Sequence, residues 1–93
     1  MNEIRTDSGI LAFDGRVVEC FSSNTDFGAR FHIALLSGLT LTKAVIGGGH
    51  RVRVELTEGQ FYAYDLGGDS LNDAEAFIGE VNMAITRLKA GKA

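Results

Sequence analysis

The chemistry in this sequence is concentrated in one acid-free stretch. Between Phe27 and Val54 there is no Asp or Glu, yet Arg30, Lys43, Arg51 and Arg53 fall there with His32 and His50. The twelve acidic residues all lie outside it, in a chain whose formal net charge is -3. A guanidinium offers a rigid fork of donors that matches a carboxylate or phosphate in two-pronged fashion. Strand alternation sets Arg30 and His32 against Phe31 and Ile33, and Arg51 and Arg53 against Val52 and Val54. If those two strands flank the one carrying Thr40 and Thr42, about 10 Å separates them. The result would be an arginine and hydroxyl surface for an anionic ligand or an acidic protein segment. Lys43 shares the parity of Leu39 and Leu41, so it joins only through a bulge or by reaching round a strand end. The competing expectation is a solvated sheet face whose cations pair with Glu19, Glu55 or Glu80.

Other chemistries find less support. His32, His50 and Cys20 have no metal-ligand spacing. Cys20 is the single cysteine, so no internal disulfide forms, and beside Val18 on a strand it reads as a half-buried thiol. No histidine is coupled to a nucleophile or a carboxylate in a recognisable pattern. Asp65, Asp69 and Asp73 are spaced by four, unlike the alternate ligands of an EF-hand loop. Gly47-Gly48-Gly49 lacks the lysine of a phosphate loop. Phe61, Tyr62 and Tyr64 would stack on bases, but their strand holds no cation, so nucleic acid is an unfavoured partner. No metal, cofactor or catalytic residue is expected.

The elements that must position these groups are short strands and one helix. Met1 to Ser8 reads as a flexible polar segment, and residues 9–90 as a single domain. Strands are expected at Ile10–Phe13, Arg16–Phe21, within Phe27–Leu36, at Leu39–Ile46, Arg51–Leu56 and Phe61–Leu66. Asp14-Gly15 signals a hairpin, Ser22–Asp26 a polar turn, and Ser37-Gly38 a break. Gly47 to Gly49 makes a flexible turn, Glu58-Gly59 closes another hairpin, and Gly67-Gly68 releases the chain. Leu71, Ala74, Phe77, Ile78, Val81, Ala84, Ile85 and Leu88 recur at three and four, the stripe of a helix over 70–89. Ser70 or Asn72 would cap it, the latter with Glu75, and Gly91 would close it. Gly79, Asn82, Met83 and Ala90 fall off the stripe, and that helix back would allow a homodimer. The pattern is α+β: a small antiparallel split β-barrel or strongly bent sheet of six to seven strands, capped by the terminal helix. With 45% hydrophobic and 23% charged residues the composition is that of a folded domain. No transmembrane-length apolar run and no signal-peptide pattern is visible, which sets the expectation of a cytoplasmic protein.

This order of parts resembles the pleckstrin-homology-like families, particularly their small bacterial versions. The resemblance runs from Gly9 to Leu88. It rests on Arg30-Phe31-His32-Ile33, a bend, Leu39-Thr40-Leu41-Thr42, a glycine turn, Val52-Arg53-Val54-Glu55-Leu56, the Glu58-Gly59 hairpin and the closing helix. It implies a seven-stranded split barrel capped at one end and used to bind lipids, peptides or other domains. Six strands are counted here, one fewer than that fold contains. The first hairpin holds only Asp14, Gly15 and Arg16, without the basic cluster of lipid-binding members, so phosphoinositide recognition is not implied. The leading expectation is a non-enzymatic binding or assembly module, acting on a protein partner or anionic ligand through Arg30, His32, Lys43, His50, Arg51 and Arg53. One alternative is a small curved-sheet enzyme with a carboxylate in an enclosed pocket. Another is a nucleic-acid-binding protein using the basic strand face.

Overall fold

The computed structural model describes residues 2–6, 9–22, 28–43, 49–66 and 71–91. They form seven strands and a C-terminal helix. These are β1 (Asn2–Arg5), β2 (Gly9–Phe13), β3 (Val17–Ser22), β4 (Gly28–His32), β5 (Leu36–Lys43), β6 (His50–Leu56), β7 (Phe61–Asp65) and α1 (Leu71–Gly91). A one-turn 3-10 helix, Ile33–Leu35, separates β4 from β5.

The chain is therefore α+β, with two antiparallel sheets ordered β1-β2-β3-β4 and β5-β6-β7. The sheets do not close into a barrel. One corner is joined through the 3-10 helix; the first and last strands meet at an isolated antiparallel bridge between Thr6 and Leu66. Inward residues of both sheets, among them Leu11, Phe13, Val18, Phe31, Val52 and Val54, build one core with α1.

Each element follows from local sequence. At the first hairpin, Asp14 Oδ1 accepts hydrogen bonds from the Arg16 and Val17 amides at 2.9 and 2.8 Å. Gly15, at φ +105°, takes the conformation a side chain disfavours. The two amide bonds hold the Asp14 carboxyl below its ordinary pKa. On β5 the register shifts between Leu36 and Gly38, so one extra residue sits opposite β6. That bulge lets Leu36 and Leu39, three apart, both point into the core. Helix α1 buries Ala74, Phe77, Ile78, Val81 and Ile85, a stripe at three and four spacing.

The structure departs from the sequence reading at several points. The segment read as flexible contributes β1, whose Ile4 is buried opposite Leu11; this is the strand missing from the count of six. The break near residue 37 is a bulge within β5. The real interruption is the 3-10 turn, where His32 Nδ1 accepts the Ala34 amide at 3.0 Å. Asn72 already lies within α1, so it does not form a box with Glu75. Gly91 is the last helical residue. The Ser22–Asp26 turn (apart from Ser22, which ends β3), Gly47-Gly48, Gly67-Gly68, Asp69 and Ser70 lie outside the described residues.

Asn82 also changes place. It reaches inward from α1: its Oδ1 accepts the Leu39 amide at 2.8 Å, and its Nδ2 donates to the Leu39 carbonyl at 2.9 Å. β5 is an edge strand, and one carboxamide serves there as the neighbour it lacks. A methyl group on Gly38 would meet Asn82 Oδ1 at 3.4 Å, an ordinary van der Waals contact. Gly79, Met83 and Ala90 remain exposed on the helix back.

Candidate functional site

The outer face of β5–β6–β7 is set by alternation along β6. Val52 and Val54 are buried, so Arg51 and Arg53 project outward. Cross-strand pairing builds three rows: Thr42, Arg51 and Asp65; Thr40, Arg53 and Ala63; Gly38, Glu55 and Phe61. Arg51 Nε lies 2.6 Å from Asp65 Oδ1. The Arg53 guanidinium sits over the Phe61 ring, 3.7 Å from its centroid. Arg53 Nε approaches Glu55 Oε1 at 3.2 Å, a distance for ion pairing, but the N–H is not aligned on it, so this buried atom has no hydrogen bond. Two cations thus stand among two carboxylates, and the face is locally balanced in charge.

The six residues singled out in the sequence are not brought together. Arg30 and His32 lie on β4, in the other sheet, because β4 and β5 are joined through the 3-10 turn and not by a ladder. The proposed meander with Thr40 and Thr42 between two basic strands is therefore absent. Arg30 pairs across its own sheet with Glu19 at 3.6 Å, as the solvated-face expectation had it. His32 uses its ring as an N-cap. Lys43 faces His50 at the strand ends. Their register is unbroken from Gly38 onward, so Lys43 keeps the parity of Leu39 and Leu41 and stays off the arginine face.

Sequence reasoning missed two members of the site. From the sequence, Phe61 stands out only as a group that could stack on bases, and Asp65 only for a spacing that does not fit a calcium loop. The signal available was the β6–β7 hairpin register, which sets both beside the arginines.

Elsewhere, Tyr64 is half-buried on the inner face near Cys20. Burial, followed by a hydrogen bond with the Cys20 thiol, raises its pKa. Tyr62 packs against Phe31 at 5.2 Å between ring centroids. Among the described residues no cluster of three His, Cys, Asp or Glu could hold a metal ion. No helix there is long and apolar enough to cross a membrane. No family model matches the chain, and no curated protein or solved structure matches it either.

Proposed function

We propose that this chain is a non-enzymatic binding or assembly module of pleckstrin-homology-like type, meeting a protein partner through the outer face of β5–β6–β7. The architectural support is limited to the seven strands and the terminal helix, the number and the closing element that the resemblance implies; the two sheets do not close into the barrel it also implies. The observation that carries the reading is the stack of half-buried Arg53 on Phe61, a residue 51% exposed although it has the apolar body of a core residue. Arginine and aromatic side chains dominate protein-interface energetics, and a guanidinium over an aromatic ring gains attraction as it is desolvated.

Within the earlier choice of partner, the geometry favours a protein over a free anion. Arg51 and Arg53 already have Asp65 and Glu55 beside them, so a small anion meets a neutralised face. A protein surface can bury Phe61 and replace those ion pairs at the same time. The enzyme alternative calls for a buried carboxylate, and every described Asp and Glu is exposed or half-buried. The nucleic-acid alternative called for one basic face, which is divided between two sheets.

The test is capture of partners from native lysate by the wild-type chain and by the double variant Arg51→Glu/Arg53→Glu. Circular dichroism confirms that both are folded. Loss of the captured proteins with the variant is expected. Equal recovery of the same proteins would overturn the reading.

A further inference from the structure

Opposite in charge preference to the arginine face is a notch between the 3-10 turn and the β6–β7 turn. It has a volume of about 280 Å³ and is lined by Leu35, Leu56, Thr57 and Glu58. Both walls are fixed by hydrogen bonds. The Leu35 carbonyl accepts the Thr57 amide at 3.0 Å, tying one wall to the other. His32 caps the turn that carries Leu35. On the far side, the Leu56 amide donates to Gln60 at 2.8 Å and the Gly59 amide to Leu56 at 3.0 Å. Gly59, at φ +96°, supplies the left-handed residue that this turn requires.

Leu35 is nevertheless 56% exposed. A leucine held out to solvent on an anchored turn is a formed apolar wall, unlike one at the tip of a loose loop. Small-molecule sites occupy roughly 300–1,000 Å³, so this notch suits a single side chain better than a cofactor. Among the described residues that line it, Glu58 is the charged one, and it is exposed. A carboxylate at the rim of an apolar recess favours a cation adjoining the inserted group and disfavours an anion there.

We propose that this notch docks a protein segment in which a large apolar side chain is flanked by Lys or Arg. The inference goes beyond the arginine-face reading and does not rest on it, because the two surfaces share no residue.

Three short probes test it by amide NMR titration of the full chain: acetyl-Phe-Arg-amide, acetyl-Phe-Glu-amide and acetyl-Ala-Arg-amide. Saturable shifts at Leu35, Thr57 and Glu58 are expected with the first. The glutamate probe should bind roughly threefold more weakly, the scale of an exposed ion pair, and the alanine probe about tenfold more weakly for want of an apolar anchor. Glu58→Lys should reverse the preference between arginine and glutamate probes, and Leu35→Ala should weaken both Phe probes. Both residues are exposed, and a thermal melt confirms that each variant folds. Absence of saturable shifts would overturn the proposal, as would equal binding of the arginine and glutamate probes or indifference to Leu35→Ala. Failure here would leave the lysate comparison untouched, and failure there would leave these titrations untouched.

Discussion

β5 and β7 flank the same central strand, yet they serve opposite ends. β5 buries Leu36 and Leu39, and its outer edge is closed by the Asn82 carboxamide of α1. β7 buries no residue fully, and it leaves Phe61 and Tyr62 about half exposed. The difference comes from the helix. α1 is amphipathic along one stripe and covers one side of the sheets, and that side is β5, the 3-10 turn and β1. One edge strand is thereby committed to folding, and the other keeps aromatic surface available for contact.

The sharpest way to break this contrast is at its buried end. Phe77 is fully buried at the centre of the helix stripe. Phe77→Ala should lower the unfolding free energy by about 3–5 kcal/mol, measured by urea titration. Against the roughly 5–15 kcal/mol of a small domain, that is a large share of the total stability. A value near that of a surface substitution would mean that α1 is not what the sheets condense on. Asn82→Ala comes next. It leaves the Leu39 amide and carbonyl without the side chain that satisfies them, at about 1–3 kcal/mol. The same substitution should speed hydrogen exchange of the Leu39 amide well beyond that of its β6-bonded neighbours.

How far these two regions were legible in the sequence depends on the range of the signal. The alternation of Val52 and Val54 and the stripe from Ala74 to Ile85 are local, repeated and strong, and both elements stand where periodicity puts them. β1 escaped because a four-residue strand with one buried apolar side chain, Ile4, has no period to detect. The tie between Asn82 and Leu39 spans 43 positions and leaves no local trace. The arginine face was half legible for the same reason. Alternation gave the outward side of β6 correctly, but it does not encode which strand lies alongside. Arg30 and His32 therefore went to the other sheet, while Asp65 and Phe61 arrived unannounced.

Tyr64 marks the point on β7 where folding and exposure meet. Burial raises its pKa above the ordinary 10.0, with the Cys20 thiol as the second cause. The sign follows from proton linkage. As pH climbs past about 10, the unfolded chain loses this proton while the folded chain keeps it. The contribution is complete below that pH, and it is lost as pH rises towards the folded value. Unfolding midpoints should fall across this alkaline range, and Tyr64→Phe should flatten the decline. An unchanged slope in the variant would show that the inner side of β7 is as wet as its outer side.

The smallest effect is expected at the exposed end of the contrast, and it bears most directly on function. Arg51 and Asp65 are each about half exposed, so their short contact is screened by water and salt. A double-mutant cycle with Arg51→Ala and Asp65→Ala should give a coupling of about 0.2–1 kcal/mol, shrinking as salt is added. A weak pair is what the proposed binding face needs, since a partner carboxylate would have to displace Asp65 to reach the guanidinium. A coupling of several kcal/mol, insensitive to salt, would mean that this face is locked within the fold. β7 would then belong with β5 as a structural edge, and the arginine surface would have no free valence left for a partner.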